Sequence, residues 1–138
     1  MVKCKIVLGD KSGKTKQIEI EGDNANVFVG KKIGDSVKGE SVDMPGYEFL
    51  ITGGSDSAGF GMRRDVDMTG KRKILITKGT GLRKNREGRR VRKTVAGNTI
   101  GEDVSQVNLK VTKTGTTPLF EEPKTEEAPV DKKEEKTE

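Results

Sequence analysis

A chain of 138 residues with only 30% hydrophobic and 36% charged side chains can bury one modest core, so a single small domain with long exposed loops is expected. The absence of histidine and the single cysteine remove imidazole acid–base catalysis, the commonest metal ligand, cysteine clusters and an internal disulfide, and fit a reducing compartment. Net charge is +5, nothing resembles a signal peptide, and no apolar run approaches the ~20 residues of a membrane helix.

Val2, Cys4, Ile6 and Leu8 alternate with Lys3, Lys5 and Val7, then a turn carries Asp10, Ser12 and Gly13, and Ile18 and Ile20 alternate with Gln17 and Glu19. Period-2 patterning on both sides of a polar turn predicts an N-terminal β-hairpin with one buried face. Asp23 or Asn24 is a candidate cap for a short helical turn through Val27 and Phe28 toward Lys32, ended by Gly34, with Gly30 and the β-branched residues counting against it. From 34 to 46 the chain is rich in turn-forming residues. A strand over Gly46–Thr52 then leads into a glycine-rich loop, Gly53 to Met62, whose backbone N–H groups are candidates for approaching a phosphate. Its spacing matches neither the dinucleotide-binding fingerprint nor the phosphate loop ending in Gly-Lys-Ser/Thr, so a tight structural loop is the better reading.

Further on, Lys73–Lys78 reads as a core strand flanked by charge, fixing two basic loops, 63–72 and 79–93, to a rigid base. Val95 and Ile100 are isolated apolar anchors, and Val107, Leu109 and Val111 alternate with polar residues in a last strand. Past Pro118 the apolar pattern stops. Glu121–Glu138 is acidic and lysine-rich, with Pro123 and Pro129, the composition of a disordered tail. The expected division is a β domain over residues 1–117 and a tail over 118–138.

Charge is concentrated in one stretch. Between Arg63 and Lys93 lie thirteen basic residues against Asp65, Asp67 and Glu87, a net of +10, whereas residues 1–62, 94–120 and 121–138 carry −1, 0 and −4. Such a block repels itself unless a polyanion neutralises it. Arginine dominates where Gly79, Gly81 and Gly88 bracket the run, and its planar fork grips phosphate oxygens in pairs. The candidate nucleic-acid-binding residues are therefore Arg63, Arg64, Lys71, Arg72, Arg83, Lys84, Arg86, Arg89, Arg90, Arg92 and Lys93. Tyr47, Phe49 and Phe60 are read as core aromatics, with stacking on a base the lesser alternative, mainly for Phe60 in its loop.

The run from Gly46 to Met62, Gly-Tyr-Glu-Phe-Leu-Ile-Thr-Gly-Gly-Ser-Asp-Ser-Ala-Gly-Phe-Gly-Met, resembles the signature of the sixth small-subunit ribosomal protein of archaea and eukaryotes, the S-six-e family. Arg83–Val95 is similar to that family's arginine-rich segment, and Ser105–Val111 to its closing strand. The resemblance implies a structural constituent of the small ribosomal subunit that acts in the cytoplasm on the ribosome. Its expected partners are ribosomal RNA and neighbouring ribosomal proteins, with no cofactor, no catalytic residue and no metal. It also implies an all-β fold, a small β-barrel or barrel-like antiparallel sheet with at most a short helix; the strands alone would equally make a sandwich. The acidic ending resembles the short archaeal form, without the long basic helix and phosphorylated serines of eukaryotic members. Gly61 stands where the family usually has proline, which should loosen the loop before Met62, and Ala96 where a basic residue is common, which should remove one phosphate contact. Two other readings remain open from the residues: a free-standing basic nucleic-acid-binding protein, and a nucleotide-binding enzyme using the loop 53–61 with Asp56 as a metal or proton ligand.

Overall fold

The structure is a computed structural model that describes residues 3–84, 87–115 and Leu119. Strands β1 (Lys3–Gly9) and β2 (Thr15–Glu21) form the expected hairpin, followed by a one-turn helix α1 (Asp23–Asn26), β3 (Ser36–Lys38), a 3-10 turn (Gly39–Val42), β4 (Glu48–Asp56), β5 (Lys71–Ile76), β6 (Val91–Ala96) and β7 (Val104–Lys113). Five strands make one sheet in the order β2-β1-β7-β4-β3, and β5 and β6 make a separate two-stranded ribbon.

Alternation decides which way each strand faces. Cys4, Ile6 and Leu8 of β1, Phe49 and Ile51 of β4, and Val107, Leu109 and Val111 of β7 are all buried. The register lines these side chains up in rows: Leu8 opposes Leu109, which opposes Ile51, while Val111 opposes Phe49, which opposes Val37. A one-residue slip of any strand would turn its apolar set to water, so burial of one face specifies the pairing. Ala25 and Phe28 pack over this face, held there by Gly30 N–H donating to the Ile100 carbonyl (2.8 Å) and Ile100 N–H to the Lys31 carbonyl (2.9 Å). On the outer face Lys3 meets Glu21 at 2.7 Å and Lys5 meets Glu19 at 3.1 Å, each pair directly opposite across the hairpin. Exposed pairs of this kind add little stability but match the register.

The all-β expectation holds, with a single short helix, but the sheets do not close into a barrel. The sheet is also not wholly antiparallel, since β1 and β7 run parallel. The helix is shorter than the predicted turn toward Lys32, and neither Asp23 nor Asn24 caps it; the N-cap is Gly22, with no side-chain hydrogen bond. Two elements went unread: β3, whose three residues carry too little alternation to show, and β6, whose basic side chains masked its period. Val95, expected as an isolated anchor, belongs to β6. Tyr47 and Phe49 are buried as expected, stacked at 5.8 Å between ring centroids. Leu119, past the expected domain end at 117, is buried against the core. The predicted tail, Glu121–Glu138, lies outside the described residues.

Candidate nucleic-acid interface

The ribbon grows from the sheet through a short splice. Met62 N–H donates to the Gly54 carbonyl of β4 (3.0 Å), and on the splice's other side Ala96 N–H donates to the Gly61 carbonyl and Arg63 N–H to the Ala96 carbonyl (both 3.0 Å). Backbone hydrogen bonds thus run from β4 through residues 61–63 into β6 and β5, and leave the rest of the ribbon projecting from the sheet. Gly61 is held in this joint, and a methyl there would press on the Thr80 side chain 2.6 Å away. Ala96 is buried at the same joint, where its backbone does the bonding, so alanine there gives up no open phosphate-facing surface.

The glycine-rich stretch is only in part a loop. Gly53, Gly54 and Ser55 continue β4 and pair with Asn108, Val107 and Gln106 of β7 after an irregularity between Ile51 and Gly53. Glycine is required at Gly54, because a methyl would be driven into the Gln106 carbonyl oxygen. The remaining turn spends its amides internally: Asp56 N–H donates to the Phe60 carbonyl (2.9 Å) and Gly59 N–H to the Asp56 carbonyl (2.8 Å). Asp56 is equally committed. Its carboxylate, 2% exposed, accepts from the Ser57 N–H (2.6 Å) and hydroxyl (3.0 Å) on Oδ1. Oδ2, which lacks a well-aligned hydrogen bond, meets Lys71 Nζ at 2.9 Å as an ion pair. Burial alone would raise the pKa of this carboxyl, but the Lys71 ammonium and the Ser57 donors outweigh it and hold the pKa below the ordinary value. The same contact raises the pKa of Lys71. Among the described residues no three Cys, Asp or Glu side chains converge to hold a metal ion.

Within the ribbon, Lys71 opposes Ala96, Lys73 opposes Thr94, Leu75 opposes Arg92, and Ile74 opposes Lys93. Opposed residues share a face, so Lys71, Lys73 and Arg92 lie on one side with Leu75, which is 55% exposed, while Arg72 and Lys93 lie on the other with buried Val95 and Ile76. Lys71, Arg72, Arg92 and Lys93, expected in loops, are thus carried on strands. Residues 77–90 connect the strands and display Lys78, Arg83, Lys84, Arg89 and Arg90, all exposed. Thr77, Leu82, Arg83, Lys84, Arg89, Val91 and Lys93 line a cleft of about 200 Å³ in which cations surround a partly apolar floor. Arg86 lies outside the described residues. Lys73 and Lys78 belong to this surface as well; the period-2 pattern that pairs Lys73 with Lys71 was legible, but only once the strand began at Lys71.

The expected contact residues, with Lys73 and Lys78 added, separate by what they touch. Arg72, Lys73, Lys78, Arg83, Lys84, Arg89, Arg90, Arg92 and Lys93 are exposed, and their side chains form no ion pair or hydrogen bond with a described residue. Arg64 is exposed too, its guanidinium lying over Gly34. Lys71 is paired with Asp56, and Arg63 is turned inward, with its side chain only 13% exposed.

The small β domain carries its concentrated positive charge on the β5–β6 ribbon and its tip, where nine exposed cations have no side-chain partner among the described residues. Residues 4–122 match the family model described as Ribosomal protein S6e, and the chain belongs to that family. It is 43% identical over 124 residues to the small ribosomal subunit protein eS6 of Methanococcus maripaludis, covering 89% of this chain and 98% of that protein. It is 44% identical over 119 residues to the eS6 protein of Archaeoglobus fulgidus (85% and 92% covered), and 44% identical over 116 residues to that of Thermoplasma acidophilum (84% and 93% covered). The resemblance carried by residues 46–62, 83–95 and 105–111 is borne out.

Proposed function

We propose that this protein is a structural constituent of the small ribosomal subunit, without enzymatic activity of its own, and that it docks on ribosomal RNA through the β5–β6 ribbon and the loop at its tip. The observation that carries the reading is the set of nine exposed cations on the ribbon and its tip without a side-chain partner among the described residues, with Glu87 the single acid in residues 71–93. Family membership supplies the class of polyanion, and neighbouring proteins of the subunit are the second class of partner. Lysine and arginine displace condensed counterions from the RNA backbone, and a two-stranded ribbon with a cationic tip reads shape and phosphate spacing rather than base identity. Phe60 is half-buried beside the glycine turn, so base stacking is not needed for the fit. On this reading the chain divides into an RNA-docking β domain that reaches Leu119 and an acidic segment after it, and it works in the cytoplasm as part of the ribosome.

The test is joint replacement of Arg89, Arg90 and Arg92 by alanine, followed by RNA affinity measured across a salt series. Binding to archaeal small-subunit RNA should weaken, with the salt dependence flattened by about one unit of log–log slope per lost phosphate contact. The melting curve should stay in place, because all three side chains are exposed. An unchanged slope would remove these side chains from the phosphate contact.

A further inference from the structure

Two of the cations that charge alone groups with the RNA ligands make a different set of contacts. Arg63 Nε and Nη2 fork onto Asp65, donating to Oδ1 at 3.1 Å and to Oδ2 at 2.7 Å. The remaining nitrogen, Nη1, donates to the backbone carbonyls of Lys78 (3.1 Å) and Thr80 (3.0 Å), just beyond the end of β5. Between those carbonyls sits Gly79 at φ +96°, where a Cβ would stand 3.4 Å from Nη1, so the chain wraps closely over the guanidinium in a conformation that favours glycine. At the other end of β5, Lys71 is tied to Asp56, the last residue of β4. Strand β5 is thus tied at its start to the Asp56 carboxylate, and the chain just past its end is held by the Arg63 guanidinium, which Asp65 holds in place; both acids lie outside the ribbon. Such anchors matter to the ribbon, because its like charges repel one another along its length and Leu75 on one of its faces is 55% exposed.

We propose that Arg63, with Asp65, and Lys71, with Asp56, are positioning residues for RNA docking: they fix the ribbon and its tip against the sheet and do not themselves meet phosphate. The proposal rests on the docking function above. A guanidinium with every nitrogen already engaged and little exposure would have to break four internal hydrogen bonds before reaching a phosphate. Lysine cannot replace it, since a point ammonium cannot span a carboxylate and two carbonyls at once.

The acids make the test decisive, because the two ideas predict opposite signs. Asp65→Asn and Asp56→Asn each add one positive charge to the protein; if charge alone governed binding, each would tighten it. As positioning residues, Asp65→Asn, Asp56→Asn and Arg63→Lys should each weaken binding to archaeal small-subunit RNA on the order of tenfold. The salt slope should match wild type in all three. Backbone amide exchange in the free protein should quicken at Leu82, whose N–H closes the turn onto the Gly79 carbonyl, in the Asp65 and Arg63 variants, and across β5 in the Asp56 variant. Arg89→Ala serves as the phosphate-contact comparator and should flatten the slope by about one unit. Tighter binding by either asparagine variant, full affinity in Arg63→Lys, or a slope loss of about one unit in Arg63→Ala would each overturn the proposal. If Arg89→Ala left the slope untouched, the docking function would fail instead, while the amide exchange of the free protein would still report on the anchors.

Discussion

Replacing Ile76 by alanine probes whether the ribbon is a rigid platform or a strap that merely lies on the sheet. Ile76 ends β5, is 5% exposed and lies close to the backbone at Gly81, where an added Cβ would stand 3.4 Å from the Ile76 Cδ1 and 3.0 Å from the Val95 Cγ1. The substitution removes three carbons, about 0.8 kcal/mol each in transfer terms, and the residual cavity adds to that within a usual range of about 2 to 5 kcal/mol. Ile76 lies outside the main core cluster, and the opposite face of its ribbon is open to solvent at Leu75, so the site can partly collapse and the cost should fall near about 2 to 3 kcal/mol. Leu109, set between Leu8 and Ile51 in the middle of the sheet, has no such freedom, and Leu109→Ala should cost about 3 to 5 kcal/mol. Lys78→Ala, on an exposed side chain, should stay within about 0.5 kcal/mol. Urea unfolding followed by circular dichroism gives the three numbers, and native-state hydrogen exchange should show Ile76→Ala opening β5 and β6 while β1 and β7 stay protected. Equal small losses for Ile76→Ala and Lys78→Ala would refute the burial of Ile76 under the ribbon. A loss equal to that of Leu109→Ala with uniform exchange would refute the ribbon as a separate cooperative unit.

Acid should act through Asp56. Its folded-state pKa lies below the ordinary 3.8, so it binds its proton more weakly folded than unfolded. It therefore contributes stability above about pH 4 that is lost as the pH falls through the folded value; in Asp56→Asn the midpoint of unfolding should vary less with pH below 4, and an unchanged acid limb would show that another carboxyl governs it. Ending the chain after Phe120 removes a segment of net charge −4 and should raise non-specific RNA affinity, most at low salt, with the melting temperature held. Ending it after Thr117 also takes away buried Leu119 and should lower stability by about 1.5 to 3 kcal/mol; identical melting of the two truncations would place Leu119 outside the core.

Local pattern by itself determined the hairpin, β4 as far as Thr52, the centre of β7 and the cationic middle of the chain. Alternation in Cys4-Ile6-Leu8 or Val107-Leu109-Val111 decides strand and buried face without reference to any partner, because the period of a strand is a property of its own backbone. Net charge is likewise a sum over residues, so the +10 of segment 63–93 was plain before any fold. Pairing was not: that β1 lies parallel beside β7, and that the sheet stays open, depends on which apolar rows meet across a hundred residues of chain. β6 was hidden because Arg92 and Lys93 belong to opposite faces of the ribbon and are both exposed, so polarity does not alternate there. Above all, charge could not separate a cation that waits for phosphate from one already spent. Arg63 and Arg89 look alike in sequence, and only the tertiary fold, by bringing Asp65 and the carbonyls of Lys78 and Thr80 around one guanidinium, makes the first an internal clamp and leaves the second without a partner among the described residues.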